Sequence, residues 1–285
     1  DTLKGGLGYG YGQAGEVYGT FIALVYLTPF FGGILADRIL GFRRSILAGG
    51  ALMGCGYLVL AIPGEPAFFV GLGLIVLGNG FFKPNMSALV GRLYPAGSPL
   101  RDAGYSIFYM GINIGAFVCN FVAAVLRNRF GWGWAFAAAG VGMFIALATF
   151  VANRRVLADV PDRGDGGTVA PGVLGELVAR VIIPGAVAGA LGWAFLGDLF
   201  GGPTTAAFVL AAIPVLIYFA TLWLTAPADE RGPIGALLSI FAVVIVFWMI
   251  FHQNGSTLTY WTEENTRREA GALAPALEAL SMHQV

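Results

Sequence analysis

The sequence predicts an all-α integral membrane protein, a bundle of spanning helices. Three observations carry that prediction. Of 285 residues, 57% are hydrophobic and only 11% charged, against about 25% charged in soluble domains. The charges cluster, leaving long intervals without them. Those intervals are continuously apolar rather than alternating, which is the pattern of a spanning helix and not of a barrel strand.

A spanning helix needs roughly 20 mostly apolar residues, and the charge-free intervals supply eight candidates. The first covers residues 17–36, between Glu16 and Asp37, and the second 45–64, between Arg44 and Glu65. The third, 66–91, is interrupted only by Lys83; the fourth and fifth are 103–126 and 130–153. The sixth, 181–197, is short, and 199–228 and 232–262 complete the set. Proline and glycine inside these runs are compatible with spanning helices. The long connection, residues 154–180, is polar and rich in Gly and Asp, and reads as an exposed linker. The chain opens on Asp1 and its last apolar run ends near the C-terminus, so a piece of a longer protein is expected.

Net charge is zero, which removes the basic footprint of a nucleic-acid binder. Alternation places Arg38, Arg43, Arg44, Arg92, Arg101, Arg154, Arg155, Arg163 and Arg231 on one side, against Lys4, Arg127, Arg129, Arg267 and Arg268 on the other. Nine against five predicts that the first side is cytoplasmic. Trp132, Trp134, Trp223 and Trp261 fall near run ends, where interfacial belts form. Cys55 and Cys119 sit in apolar runs without CxxC or His spacing, so no metal or redox centre is expected. The glycines between Gly6 and Gly12 follow no strand, and no GxxxxGK[ST] occurs, so no nucleotide site and no other cofactor is predicted. No nucleophile and base pair stands within the runs, which argues against an enzyme.

The remaining signals are polar residues inside the runs. Lys83 is the only formally charged one, and a buried ammonium is expensive enough to be functional by default. Arg92 is nine residues on, roughly 13 Å at helical rise, too far for simple snorkelling. Asn79 lies four residues before Lys83 on the same face, which reads as cavity-lining. Asn113 shares a face with Tyr109 and Asn120, another polar stripe. The loop after the first run, Gly32 to Arg44, holds small residues followed by Asp37, Arg38 and Arg43, able to pair and separate at the cytoplasmic end of a bundle.

Four segments resemble motifs of one family. Gly32-Gly-Ile-Leu-Ala-Asp37-Arg38-Ile-Leu-Gly41 looks like the loop between helices 2 and 3 of major facilitator transporters, in the form used by the proton-dependent oligopeptide transporter (POT/PTR) family. Phe108-Tyr109-Met-Gly-Ile-Asn113-Ile-Gly115 resembles that family's fifth-helix FYxxINxG signature. Gly80-Phe-Phe-Lys83-Pro84-Asn85 is similar to its fourth-helix segment, and Phe247 to Leu258 to its seventh-helix FWxxFEQxGSxL pattern.

The resemblance implies a partial major facilitator-type bundle. Residues 1–153 become helices 2 to 6, 154–230 the cytoplasmic linker and two additional membrane helices, and 231–285 helix 7. Helix 1, with its ExxER residues, and helices 8 to 12 are expected outside this piece. It implies a monomeric secondary transporter of the inner or plasma membrane, carrying di- and tripeptides with protons by alternating access. The implied substrate contacts are Tyr26, Lys83, Asn113, His252 and Gln253, extended by Ser256 and Thr257. The implied coupling and gating residues are Lys83, His252, Asp37, Arg38 and Arg43. His252 departs from the family, which usually has a carboxylate there to pair with the fourth-helix lysine. Either the imidazole titrates or coupling rests on carboxylates elsewhere. An alternative keeps the fold and carries nitrate or another small organic anion, which a cationic pocket without a pairing carboxylate also suits.

Overall fold

Long apolar runs in a helix-only environment leave one packing question: where neighbouring helices can come close. The computed structural model answers it for residues 6–95, 97–158, 160, 162, 173–266, 272 and 274–279. The side chains of residues 30, 34, 38, 39, 173, 174 and 276 lie outside the description. The described chain is helical, without a strand. It divides into two compact units, Asp1–Gly166 with Arg267–Val285, and Gly167–Thr266.

The first unit holds α1 (Tyr11–Leu35), α2 (Phe42–Leu60), α3 (Glu65–Arg92), α4 (Leu100–Phe130) and α5 (Trp132–Ala152). A π-helical turn, Ala36–Leu40, ends α1, and Gly41 at φ 81° turns the chain into α2. A single glycine, Gly131 at φ 99°, joins α4 to α5. Both positions need the left-handed region that only glycine enters cheaply.

α3 is the hub, gripped by α1 and by α2. On the α2 side the glycines pair antiparallel. A Cβ on Gly49 would sit 2.6 Å from Gly78 O, and one on Gly56 would sit 2.9 Å from Gly71 O. The reciprocal substitutions collide with Gly49 O at 2.5 Å and Gly56 O at 2.9 Å. Between helices in lipid, such close backbone approach is the main source of association, because burial from water contributes little. α5 uses the opposite face of α2, where Gly54 lies against Phe144 and Gly50 against Leu147.

Seven segments among the described residues have the length and hydropathy to cross a membrane: Tyr11–Gly33, Glu65–Arg92, Leu100–Phe130, Trp132–Ala152, Gly175–Phe195, Pro203–Thr225 and Ala228–Gly255. The second expected span is not among them. α2 has 19 residues, but Arg43 and Arg44 occupy its first turn and glycines replace larger apolar side chains. It is also the most enclosed helix, with Phe42, Ser45, Ile46, Gly49, Gly50, Gly54, Gly56 and Leu60 buried. A helix that faces other helices needs less apolar surface than one that faces lipid.

The segment after α5 also departs from the expected exposed linker in its first part. Leu157 is buried in a cluster with Ile46 and Leu89, packed by Phe82, Met86, Phe150 and Val160. At the other end of α3, the N-terminal segment is tied down. Tyr9 Oη donates to Glu65 Oε1 at 2.7 Å, and its ring meets Phe68 edge-on.

The second unit starts with α6 (Val173–Leu177), which continues through a π turn, Val178–Ile182, into α7 (Ile183–Phe195). α8 (Pro203–Thr225) returns along α7, where Gly185, Gly189 and Gly192 face the carbonyls of Ala211, Ala207 and Ala206. α9 (Ala228–Phe251) follows a turn pinned by Arg231, whose Nη2 donates to Leu224 O and Ala226 O. The last apolar run, read as one span, is two helices. A 3₁₀ turn, His252–Gly255, and Ser256 at φ −138°, ψ −100° separate α9 from α10 (Thr257–Asn265). The Asn-Gly-Ser segment explains the stop, since these residues favour turns over helix interiors. A short α11 (Ala274–Ala279) lies in the first unit, where Arg129 Nη2 donates to Ala279 O at 2.6 Å.

Two predictions follow from this packing. Gly78→Leu should cost about 1–3 kcal/mol through forced overpacking and lower the unfolding midpoint of the detergent-solubilised full-length protein. Gly73→Leu, where a Cβ meets nothing within 4 Å, should leave the midpoint unchanged. Tyr9 should titrate above its ordinary 10.0, chiefly because its hydroxyl donates to Glu65. With the folded pKa raised, the contact contributes fully below pH about 10 and is lost as pH rises through the raised value. Ultraviolet phenol titration of Glu65→Gln should show the Tyr9 step moving down; an unmoved step would remove the contact.

Candidate functional site

Lys83 and Tyr26 are brought together on the α1–α3 pair. The Lys83 ammonium lies over the Tyr26 ring, 4.9 Å from its centroid. Both side chains are exposed, Tyr26 at 47%. A ring beneath an ammonium stabilises the charge without neutralising it, so Lys83 stays available to a second, anionic partner.

The backbone beneath the pair is held by polar ties. Asn79 Nδ2 donates to Val25 O at 2.8 Å, so Asn79 fastens α3 to α1 rather than simply lining a cavity. Thr28 Oγ1 bonds Val76 O at 2.9 Å and its own helix at Leu24 O at 3.0 Å. Buried Asn85 donates to Phe81 O at 2.7 Å and reaches Gly32 O at 3.4 Å. Pro84 has no N–H to offer Gly80 O, and Gly32 packs against that carbonyl so closely that any Cβ there would collide with it.

Asn113 lies on the exposed face of α4 with Tyr109 and Asn120. Its Nδ2 donates to Tyr109 O at 2.8 Å, one turn back in the same helix. His252 opens the 3₁₀ turn in the second unit, its ring stacked on Trp248 at 5.5 Å and edge-on to Phe251 at 5.9 Å. Gln253 follows it, exposed, and its carbonyl accepts the Ser256 N–H at 3.2 Å. Ser256 and Thr257 mark the restart of the helix as α10.

At the loop between α1 and α2, Asp37 is exposed within the π turn, and the Arg38 side chain lies outside the described residues. Arg43 is engaged with the segment after α5 rather than with Asp37. Its Nη2 donates to the carbonyls of Leu157 and Val160, and its Nε lies 3.8 Å from Asp162 Oδ1. Asp162 also caps α2 from a distance. Its Oδ1 accepts the Arg43 N–H at 2.9 Å and its carbonyl the Phe42 N–H at 2.8 Å, satisfying first-turn donors that Gly41 cannot cap. Gly41 has to be glycine for this as well, since a Cβ would stand 2.6 Å from Asp162 Oδ2.

The sequence model of the POT family (PTR2) matches residues 43–281. The chain belongs to the POT family. It is 31% identical over 280 residues to the uncharacterized transporter YclF of Bacillus subtilis (strain 168), covering 95% of this chain and 56% of that protein. It is 30% identical over 270 residues to the di-/tripeptide transporter of Lactococcus lactis subsp. lactis (strain IL1403), covering 92% and 54%. Among solved structures, a mutant of the peptide transporter POT in complex with alafosfalin superposes with TM-score 0.73 at 33% identity, covering 98% of this chain and 61% of that one. A POT family transporter in complex with 5-aminolevulinic acid gives TM-score 0.76 at 25% identity, covering 94% and 56%. The chain thus spans about half the length of the curated relatives it matches. It is a multi-pass membrane protein with the helical major facilitator-type fold of this POT family, a family of transporters rather than enzymes.

Sequence reading of this POT family member missed the ties that set the geometry. Thr28 and Asn85 carried a signal, being short polar residues beside prolines in spanning runs. Asp162 carried none, since it stands 119 residues from Arg43 in a segment read as linker. Asp162→Ala should remove about 1 kcal/mol of capping, the exposed ion pair adding little. Hydrogen exchange at the Arg43 amide should then accelerate about fivefold, more than at the Phe42 amide, whose acceptor is the Asp162 main-chain carbonyl that alanine keeps; unchanged exchange at Arg43 would show that the Asp162 carboxylate caps nothing.

Proposed function

We propose that the full-length protein is a proton-coupled symporter that brings di- and tripeptides across the cell's inner or plasma membrane by alternating access. The observation that carries this reading is the Lys83 ammonium held, still exposed, over Tyr26 in a POT family chain. A peptide is a zwitterion with an amide backbone. Lys83 attracts its carboxylate, while the Tyr26 hydroxyl and the Asn113 amide offer hydrogen bonds that do not depend on the peptide's side chains. Residues 1–153 act as most of one half of the carrier, 154–230 as the linker and additional helices, and 231–285 as the start of the other half.

His252 and Gln253 contribute from the break between α9 and α10. Interrupted helices in transporters expose backbone groups to cargo, and His252 is the coupling residue there. Asp37, Arg38 and Arg43 act at the cytoplasmic end, where the Arg43–Asp162 contact is able to open and close with the carrier. The carrier works as a monomer in the lipid bilayer, with peptide and protons as its partners, and takes no nucleic acid. Of the relatives reported above, the Lactococcus lactis protein bears a di-/tripeptide name and the alafosfalin-bound structure a peptide-transporter title, and none bears a nitrate name.

Full-length protein in proteoliposomes tests the reading. An inward proton gradient should drive labelled dipeptide uptake, with competition from di- and tripeptides and none from nitrate. Lys83→Ala should cut uptake about ten- to a hundredfold, the scale of a lost charge-assisted hydrogen bond. His252→Ala should flatten the pH dependence of uptake, and an unchanged profile would remove His252 from the coupling. Uptake indifferent to the imposed gradient would sink symport, and competition by nitrate alone would sink the peptide reading.

A further inference from the structure

Asn79 is joined to the Lys83–Tyr26 pair at both ends. Along α3 it stands one helical turn before Lys83, on the same face. Across the helix interface its Nδ2 donates to Val25 O at 2.8 Å, and Val25 directly precedes Tyr26. One side chain therefore connects the turn that carries the ammonium to the turn that carries the ring. Thr28 Oγ1 answers from the opposite direction, reaching Val76 O at 2.9 Å. Residues 25–28 of α1 and 76–79 of α3 are thus tied twice, once from each helix.

The interface leaves little room for another arrangement. A Cβ on Gly80 would stand 2.8 Å from Thr28 Cβ and 2.9 Å from Thr28 O, so the two backbones are already in contact beside the tie. Asn79 is half-buried while Lys83 is exposed. A half-buried amide pointed at a neighbouring carbonyl is spent on structure and not offered to cargo. Without the Nδ2–carbonyl bond, Val25 O loses its cross-helix donor. The α1 turn is then held by the Thr28 tie alone, and even a small rotation about it shifts the tyrosine ring relative to a cation it met at 4.9 Å.

We propose that Asn79 is the positioning residue of the Lys83–Tyr26 pair: through Val25 it holds the ring beneath the ammonium. Asn79 touches neither cargo nor proton. Its effect on transport rests on the peptide-symport reading above, whereas its effect on the pair does not.

The test therefore has a substrate-free arm and a transport arm, both on full-length protein. In the first, lipid-embedded protein meets a water-soluble acylating reagent without peptide, and mass spectrometry follows modification of Lys83. A ring under the ammonium slows acylation about two- to fivefold, the scale of a cation–π contact. Asn79→Leu, which keeps the shape and removes the donor, should raise the Lys83 rate by that factor. Tyr26→Leu should do the same, and the double variant should go no further. Asn79→Ser, with a shorter donor, should fall between wild type and Asn79→Leu, and it serves as the test variant if the leucine form does not insert. In the second arm, Asn79→Leu should raise the dipeptide KM several-fold with kcat within about twofold, and the effect should vanish in the Tyr26→Leu background.

A lowered unfolding midpoint with unchanged Lys83 reactivity would make Asn79 a structural tie only and overturn the proposal. So would additive effects of Asn79→Leu and Tyr26→Leu on the acylation rate. If wild type carries no peptide, the symport reading fails, and the acylation cycle still decides the role of Asn79.

Discussion

The close approach of two helices to α3 is the constraint on which the rest of the first unit depends. Glycine is the side chain that makes it possible. Gly71 and Gly78 receive α2 on one side, and Gly80 receives α1 on another. In a bilayer, helices gain little by leaving lipid for each other, so contact distance and hydrogen bonding decide which pairs form. Once the backbones touch, carbonyls of one helix come within reach of short polar side chains of the other. The Thr28, Asn79 and Asn85 ties are of this kind. Each would be stretched beyond bonding distance if a larger residue held the helices apart.

That grip also fixes where charge can stand. Lys83 emerges beside Pro84, at a point where α3 is fastened to α1 on both sides of it. Its charge is met locally by the Tyr26 ring of α1. Arg43, at the end of the bundle where α2 begins beside the last turns of α3, is treated differently. It sits where α2 begins and where the chain leaving α5 returns, and it is surrounded by carbonyls and a carboxylate. The two cations therefore have opposite character: one is presented and the other is consumed. The proposed cargo contact at Lys83 and closable contact at Arg43 rest on that division.

The second unit obeys the same rules with different pieces. The α7–α8 hairpin is closed by glycines facing alanine carbonyls, and the α8–α9 turn by Arg231 on the carbonyls that α8 leaves without helical donors. α9 then stops at His252, although its apolar run continues. Asn254 O accepts the Thr259 hydroxyl, so the turn is stabilised by the helix that follows it. Backbone that leaves the helical ladder inside a spanning region must find partners nearby, and this segment carries its own.

Much of the architecture was legible from the sequence because it depends on local composition. Charge-free length places the helices, and glycine marks where they turn and touch. Lys83 and Asn113 stand out because polar groups in apolar runs are costly, and ordered motifs disclosed the family, whose resemblance is what implied Tyr26, His252 and Gln253. The stop within the last run was written in Gln253-Asn-Gly-Ser256 but hidden by its apolar flanks. Tertiary structure alone decided the partners. Arg43 turned to Asp162 rather than Asp37, and Asn79 to Val25, across 119 and 54 residues of chain. Composition says which groups need a partner; only the packing of α1, α2 and α3 says which one is within 3 Å.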